Sequence, residues 1–303
     1  MIRDLRTGAP AGAPPQSNSL AFAREHILEL TTPTTAENTV GAFTIAVTSP
    51  RMPTCKRGLA AHLAGYLART KADLGLSVCV LDTDIDSRDV GLRFGVTQPA
   101  LLDIANDRTL RDNPDLLRST ITRLDANGLS VVPVQIPAGP LLPLLQNKSV
   151  TLLDQLRAAY DFVVVDVPVG FGVAGEAWEE AVLARVDALV VAVSAESSAF
   201  GGALRYLNAV GAARSAGTLP DSFDTHLVLT GSDEDGSRSL LTQRALDRNL
   251  RGVPVVASIP QMWGRRVPGM RGAVDLPARL DQEFAAIVSA VTGIETRPHT
   301  HEH

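Results

Sequence analysis

A lysine between a predicted strand and a predicted helix is the first feature of this sequence that could carry chemistry. The apolar, β-branched run Phe43–Thr48 predicts a buried strand, and leucines at helical spacing predict a helix over residues 58–72. Between them, residues 49–57 form a loop that contains Lys56. A strand, a loop and a helix in this order make a phosphate-binding site in many proteins, because backbone N–H groups and the helix N-terminus face an anion.

The loop departs from the phosphate-binding pattern G-x-x-x-x-G-K-[ST] at every fixed position except the lysine. Pro50 and Cys55 stand where the pattern has glycines, and Arg57 stands where it has a magnesium-binding hydroxyl. Arg57 therefore removes a metal ligand and adds a positive charge, which disfavours Mg²⁺. Arg51, Lys56 and Arg57 nevertheless keep the loop positive, so attraction for phosphate is expected to persist.

Three aspartates follow two other predicted strands. Asp82 and Asp84 come after the predicted strand 77–81, and Asp166 comes after the apolar run 162–165. Ligands of doubly wound sheets bind beyond the carboxyl ends of the strands, so these aspartates are expected to lie near the loop. An apolar strand that ends in aspartate and continues x-P-x-G resembles a Walker B strand, whose carboxylate helps to hold magnesium through water.

The aspartates have two simpler explanations. A single aspartate at a strand end is often a helix cap, but three features in order at strand ends favour a ligand site. Asp82, Asp84 and Asp86 also match the start of a calcium loop, D-x-D-x-D. The pattern then fails, because Ser87 replaces its glycine and Arg93 replaces its bidentate glutamate, which argues against calcium.

The elements that must position these residues alternate between strands and helices. Seven predicted strands with helices between them predict an α/β fold: a doubly wound, mainly parallel sheet of seven or eight strands with helices on both faces. The predicted strands are 43–48, 77–81, 129–134, 162–165, 187–193, 226–230 and 253–258. The predicted helices are 58–72, 99–105, 113–124, 150–160, 176–185, 200–216, 237–250 and 277–291.

The two ends of the chain differ in composition from the α/β region. Residues 1–40 are rich in Ala, Gly, Pro and Thr and predict a flexible extension with one short helix over residues 20–30. Residues 41–293 form the predicted domain. Residues 294–303 form a tail in which three alternating histidines are expected to have no more than incidental metal affinity.

Composition narrows the class of protein. A net charge of −5 argues against a globally basic nucleic-acid surface, and 45% hydrophobic with 4% aromatic residues suits a core of aliphatic side chains. The two cysteines provide neither a disulfide framework nor metal-ligand spacing, and Cys79 is expected to be a small core residue. The sequence has no apolar run long enough for a membrane span and no signal core, which predicts a cytoplasmic protein.

Taken together, these motifs resemble the ParA/MinD family of dimeric ATPases with a deviant Walker A motif, over about residues 41–293. The family loop reads KGGxGKT, and its signature lysine falls at Arg51, its phosphate lysine at Lys56 and its hydroxyl at Arg57. The family motif D-x-D begins at Asp82, and D-x-P-x-G begins at Asp166. The segment that starts at Ile259 resembles the late loop that closes over the nucleotide base.

The resemblance implies a nucleotide site and a homodimer. It implies that ATP or ADP binds to the loop, that Asp84 orients the attacking water, and that Asp82 and Asp166 lie beside the magnesium ion. The implied nucleotide-binding residues are Arg51, Thr54, Cys55, Lys56, Arg57, Gly58 and Gln261. The substituted loop predicts that ATP hydrolysis is weak or absent, because positioning and metal electrostatics supply nearly all phosphoryl-transfer catalysis.

Three hypotheses about function follow. The first is a degenerate ParA/MinD-like scaffold that docks other proteins of a positioning or assembly system, in cell division, partition or pilus positioning, comparable to TadZ/CpaE-like proteins. The second is an active nucleotide-switched ATPase that dimerises on DNA or a membrane, although the net charge indicates neither surface. The third is a small-molecule ligase resembling dethiobiotin synthetase, which the missing glycines and hydroxyl disfavour.

Overall fold

The structure of the chain is a computed structural model. It describes residues 42–50, 56, 58–71, 74–85, 87–124, 128–134, 142–168, 177–195, 197–232, 252–260 and 278–293.

The described residues contain eight strands that form one sheet. They are β1 (Phe43–Thr48), β2 (Val78–Asp82), β3 (Thr122–Arg123), β4 (Ser130–Val132), β5 (Phe162–Asp166), β6 (Ala188–Ser194), β7 (Asp224–Ser232) and β8 (Val255–Pro260). Their order is β3-β4-β2-β5-β1-β6-β7-β8, and every neighbouring pair is parallel except β3 and β4. The predicted doubly wound, mainly parallel sheet is therefore confirmed, with eight strands.

Helices cover both faces of the sheet. They are α1 (Leu59–Lys71), α2 (Asp89–Phe94), α3 (Leu101–Asn106), α4 (Pro114–Thr120), α5 (Leu142–Ala159), α6 (Ala177–Leu183), α7 (Ser197–Ser215) and α8 (Ala278–Thr292), with a 3₁₀ turn at Arg108–Leu110. The central strands β2 and β5 are buried along their whole length, as expected of parallel strands between two helical layers. Cys79 lies fully buried within β2, so its expected place in the core is confirmed.

The prediction of one helix over residues 113–124 was wrong for residues 121–124. Helix α4 ends at Thr120, and the next residues form β3, which pairs antiparallel with β4. The Leu124 N–H donates to the Leu129 carbonyl at 2.8 Å and closes a hairpin between the two strands. Pairing with a distant strand, which no local periodicity reports, decides the conformation here.

Helix α5 begins at Leu142 rather than at residue 150. Pro143 falls at the second position of the helix. The first four N–H groups of a helix have no partner within it, so a proline there sacrifices no hydrogen bond. The predicted helix 237–250 lies outside the described residues.

Helices α1 and α8 pack together on one face of the sheet. Phe284 of α8 is fully buried, and its ring centroid lies 6.1 Å from that of Tyr66 on α1. One turn away, the guanidinium of Arg69 forms an ion pair with the buried carboxylate of Asp281. An aromatic contact and a charged contact therefore fix the same pair of helices.

No helix in the described part of the chain is both long enough and apolar enough to cross a bilayer.

We expect Phe284→Ala to lower the free energy of unfolding by about 3–5 kcal/mol, because it empties a fully buried site between two helices and the sheet. The matched control is Leu144→Ala on α5. The Leu144 side chain is 40% exposed, so its truncation is expected to cost less than about 0.5 kcal/mol. Denaturant unfolding of both variants measures the difference. Equal costs would show that α8 does not pack as described.

Candidate functional site

Four titratable side chains meet where β1, β2 and β5 end. Lys56 lies in the segment between β1 and α1, Asp82 and Asp166 are the last residues of β2 and β5, and Asp84 lies two residues beyond β2. The strands β2 and β5 are neighbours, and the register pairs Asp82 with Asp166. Since the strands are parallel, their carboxyl ends lie at one edge of the sheet, which is where such folds bind ligands.

The ammonium of Lys56 lies between two carboxylates. Its Nζ is 2.6 Å from Asp84 Oδ2 and 2.9 Å from Asp166 Oδ1, and all three side chains are almost fully buried. Burial lowers the pKa of Lys56, but the carboxylates of Asp166 and Asp84 outweigh it and leave the pKa above its ordinary value. Lys56 is therefore charged, and removal of one partner would leave an unpaired buried charge, which is strongly destabilising.

Asp82 is the fourth member of the cluster and gives the cluster an excess of negative charge. Its Oδ1 accepts a hydrogen bond from the Asp84 N–H at 3.0 Å, whereas its Oδ2 is buried without a hydrogen-bond partner among the described residues. Burial, and next the charge of Asp166, raise the pKa of Asp82 well above its usual range. A buried carboxylate in this state takes up a proton or accepts a cation.

Short hydrogen bonds lock the turn after β2 to the end of β5. Thr83 donates to the Asp166 carbonyl twice, from its N–H at 3.0 Å and from its Oγ1 at 2.8 Å. Asp84 in turn accepts from the Ser87 N–H through Oδ1 at 3.2 Å, so both of its carboxylate oxygens are engaged. These bonds aim the aspartates at Lys56 and leave them little freedom to turn.

Thr83 is a site residue that the sequence analysis missed. It occupies the variable position of D-x-D, and its importance depends on the neighbouring strand that it contacts. A hydroxyl residue between the two aspartates was the one sign of it in the sequence. Thr48 acts similarly at the end of β1, where its Oγ1 donates to the Pro168 carbonyl at 3.1 Å.

The structure describes half of the residues predicted to form the site. Lys56 contacts both Asp84 and Asp166, Asp82 adjoins them, and Gly58 immediately precedes α1. The other predicted nucleotide-binding residues lie outside the described residues: Arg51, Thr54, Cys55, Arg57 and Gln261. Asp86, from the calcium alternative, also lies outside them.

An arginine covers the N-terminus of α1. Gly58 has φ +83°, and a Cβ at this position would lie 2.3 Å from Cζ of Arg93 on α2. The same guanidinium lies 3.5 Å from Nε2 of His62 on α1. Burial, and then the charge of Arg93, lower the pKa of His62 to about 3, so the imidazole is neutral at pH 7. Glycine at position 58 is thus required both by the backbone and by the neighbouring side chain.

The arrangement suits an anion and a cation held side by side. A lysine before a helix N-terminus attracts phosphate, and strand-end carboxylates attract a divalent cation, usually through its water ligands. Within the described ranges, no three histidine, cysteine or acidic side chains form a ready-made set of metal ligands. Any metal ion here would have to bring ligands of its own, such as water or phosphate oxygens.

No protein-family model and no curated protein matches this sequence. Solved structures do match its fold. The ATP complex of an McdA variant from Cyanothece superposes with a TM-score of 0.61 at 13% identity, over 86% of this chain and 99% of the other. The MinC:MinD cell division protein complex from Aquifex aeolicus gives a TM-score of 0.58 at 17% identity, with the same coverage of 86% and 99%.

A synthase has the same fold. Cobyrinic acid a,c-diamide synthase from Mycobacterium smegmatis, with bound ADP and magnesium, superposes with a TM-score of 0.54 at 16% identity, over 86% of this chain and 99% of its own. Identities this low show the fold alone, and the ParA/MinD-type fold expected from the motifs is confirmed at that level. Because a cell division protein and a synthase both have it, the site residues must decide the function.

We expect Gly58→Ala and Gly75→Ala each to cost about 1–2 kcal/mol of stability, because both glycines have a positive φ. The two variants differ in what the new methyl group meets. At position 75 it meets nothing within 4 Å, whereas at position 58 it displaces the Arg93 guanidinium. Denaturant unfolding measures the cost, and NMR of the His62 ring is expected to shift in Gly58→Ala alone. An unmoved His62 resonance in that variant would contradict the described contact.

The neutral His62 predicts a loss of stability in acid. Its pKa is lowered to about 3 in the folded state, so the unfolded chain binds more protons between pH 6.5 and 3. Its stabilising contribution is therefore complete above pH 6.5 and is lost as the pH falls towards 3. Between pH 7 and 4.5, we expect wild type to lose on the order of 2 kcal/mol more than His62→Gln. Parallel unfolding series at several pH values test this, and identical slopes would refute it.

Proposed function

We propose that this chain is a spatial organiser of the ParA/MinD type, a scaffold that docks other proteins of a positioning or assembly system and hydrolyses ATP weakly or not at all. The observation that carries the proposal is the buried Lys56 ammonium held by Asp84 and Asp166 at the carboxyl edge of a ParA/MinD-type sheet. The group that would meet a phosphate and the group that would orient water are bound to each other.

This ion pair disfavours hydrolysis for two reasons. To face a phosphate, Lys56 must leave two carboxylates at 2.6 and 2.9 Å, and Asp84 would then keep a buried charge without its partner. To orient water, Asp84 must free an oxygen, but Oδ2 is bound to Lys56 and Oδ1 to the Ser87 N–H. The sequence adds Arg57 where a magnesium ligand is expected.

Nucleotide binding without efficient turnover remains compatible with the cluster. The excess negative charge and the unpartnered Oδ2 of Asp82 fit a divalent cation, which Asp82 and Asp166 would hold through water. Bound magnesium would neutralise phosphate charge. Lys56, with the predicted loop residues and Gln261, would then hold the phosphates and base of ATP or ADP.

The proposed partners are proteins and a second copy of this chain. A structure with the same fold is the MinC:MinD cell division protein complex, in which a MinD chain is bound by a different protein. We extend that arrangement to this chain as a hypothesis. In this view, the phosphate site regulates assembly through occupancy rather than through turnover.

The second candidate is an active nucleotide-switched ATPase that dimerises on DNA or a membrane. The same cluster also supports this candidate, because Lys56 lies in contact with Asp84 and Asp166 at the strand ends where the family motifs place them. If nucleotide and magnesium drew Lys56 away, Asp84 would become available to water. The two candidates therefore differ in turnover rather than in the residues that they use.

We expect wild type to bind ATP or ADP in calorimetric titrations with Mg²⁺, and to turn over ATP at least a hundredfold below the roughly 1 s⁻¹ typical of slow enzymes. Lys56→Ala is expected to abolish binding. Because this change leaves two buried carboxylates, Lys56→Ala with Asp84→Asn serves as a second variant, and circular dichroism checks that both are folded. Lys148→Ala is the matched control, since its ammonium contacts only the Ala105 carbonyl among the described residues.

Turnover decides between the candidates. Magnesium-dependent hydrolysis near 1 s⁻¹ that Asp84→Asn abolishes would replace the scaffold proposal with the active ATPase. Binding that survives in both folded Lys56 variants would refute the assignment of the phosphate site itself.

A further inference from the structure

A cavity of about 710 Å³ opens at the amino ends of the strands, away from the aspartate cluster. Ser77 precedes β2, Ser130 begins β4 and Tyr160 precedes β5, and all three line the cavity. The aspartates lie at the other ends of β2 and β5, which are five residues, or roughly 15 Å, long. The cavity is therefore separate from the nucleotide site proposed above, and its volume falls within the range of small-molecule pockets.

Two guanidinium groups supply the charge of this cavity. Arg123 of β3 lies over the hairpin backbone, where a Cβ at Gly128 would be 2.9 Å from its Nη2. No carboxylate among the described residues pairs with it. Arg118 of α4 pairs with Asp115 at 2.6 Å, but both side chains are exposed, and such pairs exchange easily with an incoming anion. Among the described lining residues, two arginines against one aspartate leave a net positive charge.

A buried tyrosine and a bound serine complete the polar wall. Tyr160 is almost fully buried between these arginines and Ser130, and burial raises the pKa of its hydroxyl, which therefore keeps its proton. Ser77 is held by Asp161, whose Oδ2 accepts from both the N–H and the Oγ of Ser77 at 2.7 Å. The Asp161 carboxylate is thus already engaged in fixing the wall.

The remaining surface of the cavity is apolar. Leu76 and Ile121 line it, and two leucines adjoin its lining residues in sequence: Leu74 next to Gly75 and Leu116 next to Asp115. Their side chains are 66% and 40% exposed, which makes them two of the few large hydrophobic side chains on the described surface. Exposed apolar groups beside a polar, positively charged hollow are typical of a binding site.

We propose that this cavity binds a small organic anion, with a carboxylate or phosphate head against Arg118 and Arg123 and an apolar body along Leu76 and Ile121. Arginine suits either head group, because its planar fork donates two parallel hydrogen bonds. The glycine at position 128 lets Arg123 lie flat on the hairpin, so the guanidinium is positioned before the anion arrives. This site belongs to a ligand other than the nucleotide.

The probe is phenyl phosphate, which has both the anionic head and the apolar body, titrated by calorimetry and by ¹H–¹⁵N NMR. We expect a Kd of about 1 mM or tighter, with shifted resonances at the amino ends of β2 and β4. Arg123→Gln and Arg118→Gln are each expected to weaken binding about tenfold. Both side chains are exposed, so neither variant should unfold.

Two controls separate this site from the phosphate loop. Arg111→Gln replaces an exposed arginine that does not line the cavity and should leave the affinity unchanged. The folded Lys56 variants should bind phenyl phosphate as wild type does, whatever becomes of their nucleotide binding. Loss of phenyl phosphate binding in those variants, with full binding in Arg123→Gln, would overturn the proposal.

Three other results would also overturn it. The first is an absence of binding at 10 mM phenyl phosphate, on the order of ten times the expected Kd. The second is equal affinity for inorganic phosphate, which would show that the apolar wall contributes nothing. The third is preference for an acidic leucine-containing peptide over phenyl phosphate. The last result would make the cavity a docking site for a protein.

Discussion

The structure depends on the balance of charge around the Lys56 ammonium. Three strands bring their ends to this point, and two of the aspartates there, Asp84 and Asp166, are buried as ion pairs with Lys56. A buried lysine is costly alone and a buried carboxylate is costly alone, so each is tolerated because the other is present. One oxygen of Asp82 has no hydrogen-bond partner in the described structure, so the cluster keeps an excess of negative charge.

That incomplete balance links the fold to a function. A cluster that was fully neutral would need nothing further, whereas this one gains from a proton or a divalent cation at Asp82. The clamp of Thr83 on the Asp166 carbonyl keeps the carboxylates at fixed positions, so the charge cannot disperse by rotation of the turn. The site is therefore rigid and cation-accepting, while Lys56 and Asp84 are paired with each other.

Much of this could be predicted from the sequence, because it depends on local patterns. The strand Phe43–Thr48 was predicted with its observed limits, and the rule that ligands bind at carboxyl ends brought Lys56, Asp82, Asp84 and Asp166 to one edge. These features follow from periodicity and from residue type at strand ends. The roles of the four residues in nucleotide chemistry are still predictions.

The features that were missed depend on contacts between distant parts of the chain. The short strand β3 exists because β4 lies beside it, although its residues continue a helical pattern. Arg93 covers Gly58 because α2 packs near the start of α1, and the spacing of the two residues in the sequence does not predict this contact. The cavity at the amino ends of the strands likewise gathers described residues from separate parts of the chain, between Ala68 and Tyr160, none of which contains a recognisable motif.

The antiparallel strand β3 has a consequence for how copies of this chain can associate. A parallel sheet that ended at β4 would present a row of unpaired backbone groups to any other extended chain, and such an edge invites aggregation. Two residues running in the opposite direction cover that row and expose only a very short edge of their own. Association of two copies by joining their sheets into one is therefore disfavoured at this side.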